Sequence, residues 1–368
     1  MSASDRRIRV LLVDDSAFMR KVMQGILSTD SALQIVGEAG DGREAIELAE
    51  TLHPDVISMD INMPHLDGLQ ATEIIMSQNP RPIVIVSSES HDGARGTLRA
   101  LQLGAVDFVC KPSSAINLDM NNVRDELIRK LKTASKVRVV RTATRPKSPQ
   151  AKALLDVPRL SRAATGPASG ERHPLIVLAA STGGPAALMQ LVPGISKNLP
   201  AAVVLALHMP ANFTGQFTEQ LAEVSAIRVK AAEEGEALCP GTLHVCPGSH
   251  HLRISPAGLI QLDDSPRISG YRPCADLTLE SAAAWGGAMT VGVILTGMGN
   301  DGARGVVAVR AAGGYVIAQD EATSMIFGMP QESIQTGAVD EVLPLDAIPA
   351  ALERRVLYLR GALKVGAL

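Results

Sequence analysis

The sequence predicts an α/β protein made of two doubly wound parallel-sheet domains. Three observations carry this: short β-branched runs alternate with helix-length amphipathic stretches, a basic Pro- and Ser-rich segment interrupts the alternation, and the alternation then resumes. At 368 residues the chain also exceeds one domain of roughly 100–200 residues. In the first series RIRVLLV, LQIVGEA, DVISMD, RPIVIVSS and AVDFVC read as five strands over residues 8 to 115, with a helical pattern near 117–140. Residues 132–172 hold ten Lys or Arg against two acids, Asp156 and Glu171, a net of +8, and read as an exposed linker. From Pro174 a second series runs LIVLAAS, AAVVLALH, MTVGVILTG and GGYVIAQ. Between 238 and 264, LHVCPG and LIQLDD flank turn residues and suggest an inserted antiparallel hairpin. The expected boundaries are 8–125, a linker over 126–172, and 173–365.

Composition narrows the function classes. Apolar residues at 46% and charged residues at 20% exclude a disordered chain, and a net charge of -3 argues against a nucleic-acid binder. Cys110, Cys239, Cys246 and Cys274 form no C-x-x-C pair or metal-like spacing and read as reduced thiols of a cytoplasmic protein. MSASDRRIRV has no apolar signal core, and no run nears the roughly 18 apolar residues of a membrane span, so no membrane insertion is expected.

Strand one ends in Asp14-Asp15 and strand three in Asp60. In a sheet of flavodoxin-like order 2-1-3-4-5 these ends lie side by side at the topological switch point. Crowded carboxylates repel unless a cation neutralises them, and hard oxygen ligands suit Mg²⁺, with Asn62 as a further candidate ligand. Asp60 would accept a phosphoryl group, and Lys111 would screen its oxygens. Taken alone, Asp14 and Asp15 could merely cap a helix. Together with Ser87, Phe108 and Lys111-Pro112 they resemble the receiver domain of response regulators. That resemblance implies a switch in which Ser87 and Phe108 move inward on phosphorylation, and a cis peptide at Lys111-Pro112. Asn62 with Glu89 resembles the pairing of fast-dephosphorylating receivers, where an amide orients the attacking water.

After LIVLAA comes Ser181-Thr182-Gly183-Gly184, a small-residue turn that exposes a hydroxyl and frees backbone N–H groups at a helix start. It approximates G-x-S-x-G, but Ala179 replaces the first glycine. The next strand delivers His208, and MTVGVILT delivers Asp301 within GMGNDG. A nucleophile, a general base and an orienting acid thus arrive at three strand ends, whatever their order along the chain. Separately each reads as a turn serine, a strand-end histidine and a capping aspartate. Gly297, Gly299 and Gly302 also spell G-x-G-x-x-G with Asp320 beyond, a dinucleotide fingerprint. Against it, Asp301 would set a carboxylate beside the pyrophosphate.

ASTGGP, the HMP strand end, LTGMGNDG and FGMP, downstream of a receiver, resemble the CheB family of chemotaxis-specific protein-glutamate methylesterases. The resemblance implies a Rossmann-like catalytic domain with Ser181 as nucleophile, His208 as base, Asp301 as orienting acid, and the backbone N–H groups of Thr182 and Met298 as oxyanion donors. It implies hydrolysis of glutamate γ-methyl esters, and deamidation of glutamines, on methyl-accepting chemotaxis receptors, with a chemotaxis histidine kinase as phosphodonor and no cofactor for the esterase. Phosphorylation of Asp60 is expected to lift a restraint that the receiver places on the esterase. Two positions depart from the pattern: Asn62 stands where Glu is frequent and Cys274 where Ser is. The alternatives are an interaction module with a silent hydrolase domain and a receiver-controlled transcription factor, for which no helix-turn-helix signal exists.

Overall fold

Uninterrupted apolar runs can only be buried on both faces of a sheet, and the chain forms two such sheets. The structure, a computed structural model, describes residues 6–88, 91–111, 120–137 and 173–365. The first sheet holds β1 (Ile8–Val13), β2 (Leu33–Ala39), β3 (Val56–Asp60), β4 (Ile83–Ser87) and β5 (Asp107–Cys110). All pair in parallel in the order β2-β1-β3-β4-β5, as expected. Every residue of β3 and β4 is buried.

The connecting helices are α1 (Ala17–Leu27), α2 (Gly42–Leu52), α3 (Gly68–Gln78), α4 (His91–Gln102) and α5 (Met120–Ala134). Side-chain caps start three of them by satisfying otherwise orphaned N–H groups: Ser16 for α1, Asp41 for α2 and Asp67 for α3. The helix α5 runs through the boundary expected at residue 125. Lys130 on α5 pairs with Asp107 (3.1 Å) and donates to the Phe108 carbonyl (2.6 Å), which ties the helix to β5 through Ala134. Glu89, Pro112 and linker residues 138–172 lie outside the described residues.

The second sheet has seven strands: β6 (Leu175–Ala180), β7 (Ala202–Leu207), β8 (Arg228–Ala231), β9 (Thr242–Val245), β12 (Thr290–Ile294), β13 (Tyr315–Gln319) and β14 (Glu341–Leu343). All pairings are parallel, in the order β14-β13-β12-β6-β7-β9-β8. A separate antiparallel pair joins β10 (His251–Ile254) to β11 (Ile260–Asp263). The predicted hairpin exists, but LHV is not one of its arms. As β9 it is wholly buried and fills a gap beside β7, whereas β11 is partly exposed and folds back on β10. The helices α6 (Gly184–Leu191), α7 (Ala211–Val224), α8 (Ala275–Gly286), α9 (Ala303–Ala311), α10 (Met329–Gln335) and α11 (Ile348–Val365) complete the unit. Every residue of the central β6 and β7 is buried, and each large apolar side chain contributes on the order of 1.5–3 kcal/mol. No helix among the described residues is long and apolar enough to cross a membrane.

Candidate functional site

Parallel strands put all their carboxyl ends on one edge, so strand order decides which end groups meet. In the first sheet β1 adjoins β3, and carboxylate oxygens of Asp14, Asp15 and Asp60 lie within 4.8 Å of one another. Asp14 and Asp60 are buried, while Asp15 and Asn62 are exposed. Lys111, after β5, bridges Asp14 (2.8 Å) and Asp60 (2.7 Å). Burial pushes the Asp60 carboxyl above its usual range despite the Lys111 ammonium beside it. Burial works against the Lys111 charge as well, but hydrogen bonds to Asp14 and Asp60 hold its pKa above the ordinary value. Ser87 is buried at the end of β4, and the Lys111 N–H donates to its carbonyl at 2.8 Å. Phe108 is only 3% exposed, with the Lys130 Nζ 5.1 Å from its ring centroid. The expected inward swing of Phe108 therefore has no outward starting position in this structure.

In the second sheet β6 lies between β12 and β7, so Ser181, His208 and Asp301 leave three adjacent strands. Ladder bonds continue past the strand ends: Ser181 N–H donates to Thr296 O (3.1 Å) and His208 N–H to Ala180 O (3.0 Å). Gly183 adopts φ +77°, a left-handed turn that L side chains resist, and so opens α6 directly after the serine. A Cβ on Gly297 would lie 2.9 Å from the Ser181 Cβ and 2.3 Å from Met329 Sδ, so only glycine lets the 297–302 loop approach the serine this closely.

Asp301 is 4% exposed and accepts four donors. His208 Nε2 (2.8 Å) and Ala275 N (2.7 Å) reach Oδ2, while Asp276 N (2.9 Å) and Cys274 Sγ (3.2 Å) reach Oδ1. Burial would raise its pKa, but the His208 hydrogen bond and charge, helped by the two backbone N–H groups, hold it below the usual carboxylate range. Burial and the Asp301 charge push the Cys274 thiol up to about 12, so this cysteine is an inert donor. Because Asp301 only accepts, Nε2 is the nitrogen that donates to it, which leaves Nδ1 as the basic nitrogen of a neutral imidazole. Nδ1 is buried and makes no hydrogen bond among the described residues, so the contact to Ser181 is not closed here. Thr182 in the serine turn is buried, and Met298 in the 297–302 loop is half-buried.

Asp276 was not anticipated from the sequence. It accepts from Gly302 N (2.9 Å) and Gly305 N (2.8 Å) at the start of α9, while Asp301 accepts from the first residues of α8, so each carboxylate caps the other's helix. The N–H groups that a pyrophosphate would need are thus occupied, which removes the dinucleotide reading. The only sequence signal was an acid in the first turn after RPC. Thr296 also escaped notice. Its hydroxyl donates to Thr182 O (3.0 Å) and accepts from Ile326 N (3.0 Å), and its N–H donates to Gln319 Oε1 (2.7 Å), joining three loops around Ser181.

A family model described as the response regulator receiver domain matches residues 10–121, and one described as CheB methylesterase matches residues 176–352. Three curated relatives carry the name protein-glutamate methylesterase/protein-glutamine glutaminase. That of Pyrococcus abyssi is 42% identical over 100% of this chain and 98% of its own length. That of Symbiobacterium thermophilum is 45% identical, covering 95% of this chain and 98% of its own length. That of Thermotoga maritima is 42% identical, covering 95% and 98%. The chain belongs to the CheB methylesterase family, with a response regulator receiver domain preceding its methylesterase domain.

Proposed function

We propose that the chain hydrolyses glutamate γ-methyl esters on chemoreceptors, and deamidates receptor glutamines, as a serine hydrolase controlled by phosphorylation of Asp60 in chemotaxis adaptation. The observation that carries the catalytic reading is the 2.8 Å bond from His208 Nε2 to a buried, ionised Asp301 beside the Ser181 turn. Ser181 Oγ attacks the ester carbonyl as His208 Nδ1 takes its proton, and Asp301 stabilises the imidazolium through Nε2. The backbone N–H groups of Thr182 and Met298 hold the tetrahedral oxyanion. Collapse breaks the C–OCH₃ bond, and His208 returns the proton to the departing methoxide, giving methanol and an acyl-serine. Water, deprotonated by His208, then releases the glutamate carboxylate and restores Ser181. An amide substrate follows the same path with ammonia leaving.

In the receiver, Asp14, Asp15 and Asp60 offer converging hard oxygens that fit Mg²⁺, and Asn62, exposed two residues after Asp60, would be a further ligand. Bound there, the ion would supply charge that neutralises phosphoryl oxygens. Asp60 supplies the nucleophilic oxygen, and Lys111 steadies the same oxygens from the β5 side. Ser87 is the hydroxyl that answers phosphorylation, and Phe108, already buried, is the aromatic that follows it. A chemotaxis histidine kinase is the phosphodonor. We take the receiver as 8–125, with α5 running on to Ala134 into the linker over 126–172, and the esterase as 173–365. A cytoplasmic location accords with four free thiols.

The test is methanol release from a methylated receptor, with and without a small-molecule phosphodonor. The parental chain should be stimulated, Asp60→Ala should stay slow under both conditions, and Ser181→Ala should release none. Parental-rate release by Ser181→Ala overturns the catalytic reading, and stimulation of Asp60→Ala overturns the regulatory one.

A further inference from the structure

One hydrogen bond to Asp301 fixes a single atom of the His208 ring and leaves the imidazole free to tilt about it. A general base must hold its second nitrogen in one direction, so a second restraint is required. Tyr271 lies in that place. Its ring stacks on His208 with centroids 4.3 Å apart and planes 17° from parallel. Its phenol tip reaches the 297–302 loop, where a Cβ on Gly299 would lie 2.2 Å from Tyr271 Oη. One half-buried ring therefore touches both the histidine and the loop that carries Asp301.

The segment bearing Tyr271 is itself anchored, and the antiparallel pair β10–β11, which adds nothing to the parallel sheet, supplies the anchor. His251 on β10 is fully buried. Its Nδ1 accepts from Cys274 N (3.1 Å) and its Nε2 donates to Pro266 O (3.2 Å), so one ring clasps both ends of the segment. Arg272 donates to Asp264 O (3.1 Å) and Ser265 O (3.3 Å) at the end of β11. Within the segment Ile268 and Tyr271 exchange both backbone hydrogen bonds, at 3.0 and 2.9 Å.

We propose that Tyr271 is a positioning residue of the triad: its ring, braced by the β10–β11 hairpin, holds the His208 plane so that Nε2 serves Asp301 and Nδ1 serves Ser181. The flat face does the work and the hydroxyl is secondary. This rests on the triad reading above.

The experiment measures kcat and KM for methanol release by the full chain carrying Tyr271→Phe, Tyr271→Leu, Ser181→Ala or His208→Ala. Tyr271→Leu should lower kcat about tenfold, equal to ~1.4 kcal/mol of barrier and to the upper range for a stacked aromatic pair, with KM within about twofold. Tyr271→Phe should restore kcat. In a His208→Ala background, Tyr271→Leu should cause no further loss of residual release, because no ring remains to be held, whereas a general structural defect would still lower it. Calorimetric melting of each variant reports folding, and Tyr271→Met, similar in reach but not flat, takes the place of Tyr271→Leu should the latter not fold. Parental kcat in Tyr271→Leu, a Tyr271→Phe as slow as Tyr271→Leu, or an undiminished Tyr271→Leu effect in the His208→Ala background each overturns the proposal. If Ser181→Ala and His208→Ala keep parental rates, the triad reading itself has failed.

Discussion

Asp301→Asn removes one charge and turns one acceptor into a donor at a site where both carboxylate oxygens only accept. If the amide nitrogen takes the place of Oδ2, it faces His208 Nε2 and Ala275 N–H; in the place of Oδ1, it faces Asp276 N–H and Cys274 Sγ. Either orientation leaves at least one buried backbone N–H without an acceptor, which costs about 1–3 kcal/mol. For a catalytic domain of this size that lowers the melting midpoint by roughly 2–4 °C per kcal/mol. Facing His208, the amide makes Nε2 an acceptor and moves the imidazole proton to Nδ1, the atom needed as base. A wrong tautomer of this kind lowers kcat about 10⁴-fold. The Asp301 carboxyl is held below its unfolded value of about 3.9, so its stabilising contribution is fully present above that pH and is lost as pH falls through the lower folded value. The parental domain should therefore lose more stability than Asp301→Asn between neutral pH and pH 3. Methanol release and calorimetry at the two pH values decide the matter. A variant within tenfold of parental kcat, or one melting at the parental temperature, would refute the reasoning.

Asp276→Ala should remove the cap of α9 and leave Gly302 and Gly305 N–H unpaired, lowering stability by about 0.5–2 kcal/mol in calorimetry while ester hydrolysis persists at a reduced rate. Lys130→Met should destabilise the receiver by about 1–3 kcal/mol in urea unfolding, because it removes the ammonium that pairs with buried Asp107 and part-exposed Glu126 and donates to the Phe108 carbonyl. An unchanged unfolding midpoint would show these contacts to be dispensable. Asn62→Lys should lengthen the life of the phosphoryl group, since an exposed amide two residues after Asp60 can orient water and an ammonium cannot accept from it. Equal rates of label loss from the two proteins would remove Asn62 from the hydrolysis step.

Much of this fold is legible in one dimension. Apolar runs such as IVIVS and AVVLAL can be buried only between helix layers, and the alternation with amphipathic stretches then dictates parallel sheets. Parallel strands release their functional groups at one edge, so Asp14, Asp60, Ser181, His208 and Asp301 could be chosen as strand-end residues before any contact was known. The polar edge strand RVKA and the three-residue β14 escaped because they lack that apolar signature. LHV was matched with the wrong partner because buried strands read alike whichever neighbour they pair with.

Strand order, by contrast, is a tertiary fact. Ser181 lies at a strand end between those that lead to His208 and Asp301 only because β12 inserts next to β6, with Leu175 pairing to Thr290, 115 residues further along the chain. The ring nitrogen facing Asp301, the reciprocal capping by Asp276 and Asp301, and the stacking of Tyr271 on His208 all depend on loop paths through distant backbone N–H and C=O groups. Local sequence determines which side chains carry the chemistry and which strand end each occupies. Directional hydrogen bonds and ring contacts fall off within an ångström, so only the packed chain decides which atoms of those side chains face one another.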